Sequence, residues 1–302
     1  MKKVIAIIGP TASGKTALSI ELAKKFSGEI ICIDSRTMYK GMDIATAKPT
    51  LKEQQFIPHY LIDLVNPGET LTVSEFKSLA KDKINEIISR GKIPFLVGGS
   101  GLYLDSIVYG FEMPPEGNPA LRLQLEKMTN EELFEKLKKL DPVHAQKIDS
   151  KNPRRLVRAV EVCMLTGKPF SKQIKKIKPD FKTLILGIDV AKEKLASKIS
   201  SRVDMMIKDG LVDEVRNLSE KYSYNLPAMS SVGYREINSY LLGQISLNEA
   251  IMQMKKNTLD YARRQITWFK KNKDIVWLTN ITESDEKIKK FAKKFATGDQ
   301  IK

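Results

Sequence analysis

Apolar positions in the first hundred residues come in two alternating textures: short unbroken runs and stretches with a helical period. Residues 4 to 8 form the first run, after which Ala17, Leu18, Ile20, Leu22, Ala23 and Phe26 recur at roughly helical spacing. A second run over 29 to 33 stops at Asp34, and a third over 93 to 97 leads into Gly98, Gly99, Ser100 and Gly101. Such alternation predicts consecutive β-α-β units and a parallel sheet. Thr72 with Glu75 forms a capping box ahead of Val73, Phe76, Ala80, Ile84 and Ile87, which predicts a helix stopped by Gly91. Residues 34 to 58 show neither period and contain Gly41 and Pro49, so a long loop is expected there, and loops that long are usually functional. A short strand is expected over 60 to 65.

Near residue 110 the texture changes. Met113, Pro114, Pro115, Gly117 and Pro119 mark a turn-rich linker, and the following 60 residues read as helix without a strand. One of these helices is capped by Asn152, carries Pro153 in its first turn and ends at Gly167 before Pro169. Strand texture returns over 184 to 190, followed by helices at 192 to 208, 211 to 222 and 248 to 272 and a last strand at 275 to 278. The expected organisation is a core of residues 1–109 and 182–302, interrupted by a helical insertion over 110–181.

Composition narrows the class. The 302 residues are 42% apolar, enough for a proper core, and two cysteines, Cys32 and Cys163, are too few for a disulfide framework or zinc site. No stretch approaches the ~20 apolar residues of a membrane span, and the opening Met-Lys-Lys leads straight into a strand-like run. A soluble cytoplasmic protein is expected. The 51 Lys and Arg against 36 Asp and Glu leave a net charge of +15, which favours a polyanionic partner unless the excess lysine is simply solvated helix surface.

Gly9, Pro10, Thr11, Ala12, Ser13, Gly14, Lys15 and Thr16 fit the nucleotide-binding P-loop pattern, between an apolar strand and an amphipathic helix. There, backbone N–H groups turn around phosphate oxygens at a helix N-terminus, Lys15 supplies a full charge and the Thr16 hydroxyl suits Mg²⁺. The fold class expected is α/β, a P-loop NTPase-like parallel sheet core flanked by helices, with the helical subdomain inserted. A P-loop names a phosphate grip and leaves the reaction open. Asp34 ends a strand at the carboxyl edge of the sheet, where it serves as general base, Mg²⁺ ligand or plain cap of the next turn. An ATPase or kinase should show an apolar strand closing on a metal-binding Asp, whereas the run to Val97 closes on glycines, and Asp63 reads as structural.

Arg154, Arg155 and Arg158 share one side of the helix capped by Asn152 and form either a phosphate clamp or a solvated face. The helix from Asn248 carries Lys255, Lys256, Arg263, Arg264, Lys270 and Lys271 around an apolar stripe, with Tyr261 and Trp268 as base-stacking or core aromatics. His59 and His144 are isolated and have no assigned role.

Taken together these segments resemble the bacterial tRNA dimethylallyltransferases, or tRNA isopentenyltransferases, over nearly the whole chain. The resemblance rests on residues 9 to 16, on Asp34 and Ser35, on the loop from Tyr39 through Gly41, Asp43 and Lys48 to Pro49, and on residues 97 to 103. It extends through 152 to 159, 232 to 236 and 263 to 269. The 39 to 49 loop is the most discriminating piece. The resemblance implies transfer of a dimethylallyl group from dimethylallyl diphosphate to the exocyclic amine of the adenosine just 3′ of the anticodon, with Mg²⁺ as cofactor. It implies Asp34 as the base, Ser100 and Arg202 as further catalytic residues, and tRNA contacts by Asp34, Ser35, Arg36, Thr37, Ser100, Arg122, Arg154, Arg155, Leu156, Val157 and Arg158. Ser100 stands where the family pattern has Thr, the region between about 110 and 150 is shorter than usual, and a eukaryotic-type C-terminal zinc module is lacking. A bacterial, monomeric enzyme is expected. Prenylation of free adenine nucleotides and a P-loop nucleotide kinase or regulatory switch are the rival readings.

Overall fold

The computed structural model describes residues 2–111, 114–173, 177, 179, 181–278 and 281–293. Met113 of the expected linker lies outside them. In chain order the elements are β1 (Lys2–Ile8), α1 (Lys15–Lys25), β2 (Gly28–Cys32), α2 (Leu51–Phe56), β3 (His59–Tyr60), α3 (Val73–Ser89), β4 (Ile93–Gly98) and α4 (Gly101–Val108). There follow α5 (Pro119–Leu125), α6 (Asn130–Leu140), α7 (Pro142–Ala145), α8 (Pro153–Thr166), a 3₁₀ turn (Phe170–Lys172) and β5 (Phe181–Ile188). Last come α9 (Lys192–Lys208), α10 (Leu211–Ser219), α11 (Tyr234–Leu241), α12 (Leu247–Phe269), β6 (Ile275–Leu278) and α13 (Ile281–Lys293).

All six strands lie in one parallel sheet in the order β3-β2-β4-β1-β5-β6, as the unbroken apolar runs predict. Ile5, Ile7, Ile30, Phe95 and Leu186 from its central strands pack with Leu22 and Ala23 of α1 in the main core. The registers Ile8↔Gly98 and Cys32↔Val97 bring the carboxyl ends of β1, β4 and β2 level and side by side. The P-loop, the Gly99 turn and Asp34 therefore leave one edge of the sheet, the edge where parallel sheets hold ligands.

The chain divides into two compact units, one of Met1–Leu104 with Asp180–Lys302, the other Asp105–Pro179. The second is built by α6 and α8, whose Leu133, Leu137, Leu156 and Val160 share a core. As expected, Asn152 caps α8, accepting from Arg155 N–H, and Gly167 ends it in the left-handed conformation. Buried Asp141 caps α7 through His144 N–H and accepts from the Ser171 N–H and hydroxyl at 2.7 and 2.9 Å.

Several local expectations change. The 34 to 58 stretch contains α2, because Thr50 and Glu53 form a capping box of the same kind as Thr72 and Glu75. The strand expected over 60 to 65 shrinks to His59–Tyr60, since Leu61 and Asp63 adopt left-handed backbone at φ 62° and 52°, which no ladder accommodates. Helix α12 is capped by Ser246 with Glu249, so Asn248 lies inside its first turn. The short helices α4 and α11 carry too few turns to stand out in the sequence, and α13 adds a helix after the last strand. Among the described residues no helix is long and apolar enough to cross a membrane.

Candidate active site

At the carboxyl edge of the sheet lies a cavity of about 1300 Å³, lined by residues of the first unit. The P-loop forms one wall and Asp34 to Thr37 another, with Lys198, Arg202 and Val203 of α9 and Tyr261 and Gln265 of α12 closing around them. Lys15, Asp34 and Arg202 are mutual electrostatic neighbours. Burial lowers the Lys15 ammonium to about 8, with Asp34 pulling upward and Arg202 pushing down. Burial also lowers Arg202, against the upward pull of Asp34 and Glu53. Lys15 and Arg202 thus both face Asp34 in a desolvated space, with Glu53 also near Arg202, yet Asp34 makes no ion pair within 4.0 Å among the described residues. Lys15 Nζ instead donates to its own loop, at Pro10 O, 2.7 Å away. Over the whole lining Lys and Arg outnumber Asp and Glu, and Lys15 and Arg202 stand where a diphosphate would meet the P-loop.

Asp34 is also the cap of the turn that follows it, since Arg36 N–H donates to Oδ1 at 2.9 Å. The same turn sends Ser35 N–H to Ser100 Oγ at 3.2 Å across 65 positions of sequence, which sets Ser100 beside the turn that Asp34 opens. Ser35 and Arg36 are partly exposed at the cavity, Arg36 anchored by a bond to Pro227 O at 2.9 Å, and Thr37 is buried with its hydroxyl unpartnered among the described residues. Cys32, buried below Asp34, has its thiol pushed up to about 12 by burial and by that carboxylate, so it is inert packing. The glycines at the end of β4 and just beyond it are explained by close approach. A Cβ at Gly98 would lie 2.2 Å from the Ile33 carbonyl oxygen, and one at Gly99 2.2 Å from Gln265 Nε2.

The 39 to 49 loop is held by a buried lysine. Lys48 Nζ donates to Tyr39 O at 2.9 Å and pairs with both Asp43 and Asp63, which gives Asp63 the structural role read from the sequence. From outside, Glu214 accepts Asp43 N–H and Ile44 N–H at 3.0 and 2.8 Å and the Tyr234 hydroxyl at 2.6 Å. Thr16 lines the cavity, and among the described residues no three His, Cys, Asp or Glu gather as a metal cage. This donor set fits a cation carried mainly by phosphate oxygens, the usual habit of Mg²⁺.

The remaining expected residues lie on the second unit. Arg154 and Arg155 are exposed on the first turn of α8, while Leu156 and Val157 are buried in its core, leaving only backbone for an outside partner. Arg122 and Arg158 both pair with Glu161 Oε2, at 2.7 and 2.8 Å, and Arg158 also donates to Pro115 O at 2.6 Å. Part of their charge is therefore spent inside the unit. His144 stacks on Phe170 at 4.7 Å in a structural contact.

Residues 37–272 match the family described as IPP transferase. The chain belongs to this family, the tRNA dimethylallyltransferases. It is 45% identical to the tRNA dimethylallyltransferase of Acetivibrio thermocellus over 298 residues, 95% of each chain. Among solved structures it resembles the full-length tRNA isopentenylpyrophosphate transferase of Bacillus halodurans, at 36% identity and TM-score 0.72, covering 97% of this chain and 96% of that one. A eukaryotic dimethylallyltransferase caught acting on tRNA matches at 30% identity and TM-score 0.82 over 100% of this chain and 81% of that one. Family membership and the α/β fold read from the motifs both hold. Within this IPP transferase site the sequence alone gives no individual role to Lys48, Glu214 or Gln265. Gln265 did carry a signal, being a polar side chain between Ala262 and Phe269 on the apolar face of α12, and it is 6% exposed. A buried Lys48 carries no such signal, since a lysine in a loop reads as solvated until the fold surrounds it.

Proposed function

We propose that the chain transfers a dimethylallyl group from dimethylallyl diphosphate to the exocyclic amine of the adenosine immediately 3′ of the anticodon in tRNA, releasing diphosphate. The carrying observation is that one cavity holds the P-loop with Lys15 and Arg202 beside Asp34, which has no ion pair among the described residues. A carboxylate already locked in an ion pair would be a poor base, whereas Asp34 keeps accepting capacity beyond the Arg36 N–H.

In the reaction the amine nitrogen bonds to the first carbon of the dimethylallyl group as that carbon's bond to the diphosphate oxygen breaks. Asp34 accepts the amine proton, a contribution of about 10²–10⁴ in rate. Lys15 and Arg202 stabilise the charge that collects on the departing diphosphate, helped by N–H groups of the P-loop. Mg²⁺, when bound at the diphosphate with Thr16 as its protein ligand, supplies further positive charge there. Ser100, Ser35, Arg36 and Thr37 hold the acceptor nucleotide, whose base enters the cavity unstacked. The helical insertion, with Arg122, Arg154, Arg155 and Arg158, contacts tRNA phosphates, in line with the net charge of +15. The enzyme works as a cytoplasmic monomer.

Incubation with unmodified tRNA, dimethylallyl diphosphate and Mg²⁺, followed by nucleoside mass analysis, tests the reading. Prenylated adenosine in tRNA is the expected product. Prenylation of free adenine nucleotides in preference to tRNA, or release of ADP with a phosphorylated acceptor, would replace it.

A further inference from the structure

Two halves of the reaction must meet at bonding distance, the donor on the P-loop and the acceptor beside Asp34 and Ser100. The strands that lead into them, β1 and β4, are paired as far as Ile8 and Gly98, and beyond the ladder the side chain of Gln265 bridges the two turns. Thr11 N–H, in the P-loop, donates to Gln265 Oε1 at 2.8 Å, and Gln265 Nε2 donates to the Gly99 carbonyl oxygen at 3.0 Å. The two bonds require opposite ends of the amide, so they determine its orientation. They span 254 and 166 positions of sequence. Gly99 is followed by Ser100, whose Oγ accepts the N–H of Ser35, next to Asp34. Tyr261, one turn earlier on α12, faces both the Ser100 and Gln265 side chains. A Cβ at Gly99 would stand 2.2 Å from Nε2, so the turn admits this amide only as long as residue 99 has no side chain.

We propose, on the basis of the function assigned above, that Gln265 is a positioning residue that clamps the diphosphate-holding loop to the acceptor wall and so sets the distance between donor and amine. It takes up the Thr11 N–H, which is thereby withdrawn from phosphate binding, and acts on the reaction only through the two backbone segments it joins. A displacement of about 1 Å between reacting groups costs about 10²-fold in rate, so loss of the clamp acts on kcat rather than on binding.

The test compares the wild type with Gln265→Ala, Gly99→Ala and the double variant, measuring kcat, KM for both substrates, affinity for inorganic pyrophosphate and melting temperature. Each single variant is expected to lose about 10²-fold in kcat while pyrophosphate affinity stays close to wild type. The double variant is expected to lose no more than either single one, because both break the same clamp. Wild-type kcat in Gln265→Ala, parallel loss of pyrophosphate affinity, or fully additive losses in the double variant would overturn the role. Should Gln265→Ala fail to fold, the isosteric Gln265→Glu decides by its kcat at unchanged pyrophosphate affinity, a wild-type rate overturning the role. A wild type that prenylates no tRNA brings down the functional reading and this role together, whereas an active wild type with active clamp variants brings down this role alone.

Discussion

Asp34 and Glu161 are both carboxylates set among basic side chains, one in each unit, and they are used in opposite ways. Glu161 is fully buried and pairs with Arg122 and Arg158 at 2.7 and 2.8 Å. Burial pushes its carboxyl up, and the two arginines more than offset this, holding it below the usual range. Asp34 faces Lys15 and Arg202 across open cavity and bonds only to a backbone N–H among the described residues. Paired charges lock a structure, whereas charges held apart in a desolvated space remain available to a substrate that brings the missing partner. The difference lies in geometry rather than in residue type.

The largest expected effect is on the working carboxylate. Asp34→Asn keeps an acceptor for Arg36 N–H and removes the base, so kcat should fall about 10²–10⁴-fold in the tRNA prenylation assay with the melting temperature unchanged. A near-normal kcat would end the role of Asp34 as base. Glu161→Gln should do the reverse, lowering stability by about 1.5–3 kcal/mol in denaturant unfolding while turnover at saturating tRNA stays near wild type. Unchanged stability would show that the arginine pair holds without it.

A smaller effect separates the arginines of the second unit. Arg154→Ala, exposed and without an internal ion pair among the described residues, should weaken tRNA binding evenly and reduce its salt slope by about one. Arg158→Ala should lower stability as well, because it also releases Glu161. The smallest effect is in pH. Glu161 has a depressed folded pKa, so its stabilisation is complete above the unfolded carboxyl value, about 4.3, and is lost as pH falls through the folded one. The stability gap between wild type and Glu161→Gln should therefore be widest near neutral pH and close in acid. A gap independent of pH would mean that the carboxylate charge contributes nothing.

Much of the molecule was legible beforehand where a local rule reported it. The unbroken runs around Ile7, Ile31 and Leu96 reported strands buried on both faces, and the capping box at Thr72 and Glu75 opened α3 where it was expected. The P-loop, Asp34 and Ser100 were legible as motif, and they line or adjoin one cavity. The equivalent box at Thr50 does not announce a helix in the sequence, because the helix it opens has only six residues and shows no period. Lys48 and Glu214 were beyond reach for another reason. Their partners lie on other segments, and only the closed fold strips water from the lysine and turns the glutamate toward the loop.

By itself the sequence determined the strand and helix texture, the phosphate grip, the family and the glycines after Val97. These follow from backbone sterics and from periodicity, which act over a few residues. Only the tertiary structure decided which charges are spent and which are free. Ion pairing depends on distances of a few ångströms between positions far apart in the chain, such as Arg122 and Glu161 or Thr11 and Gln265. Strand order sets those distances, and nothing local to any of these residues encodes it.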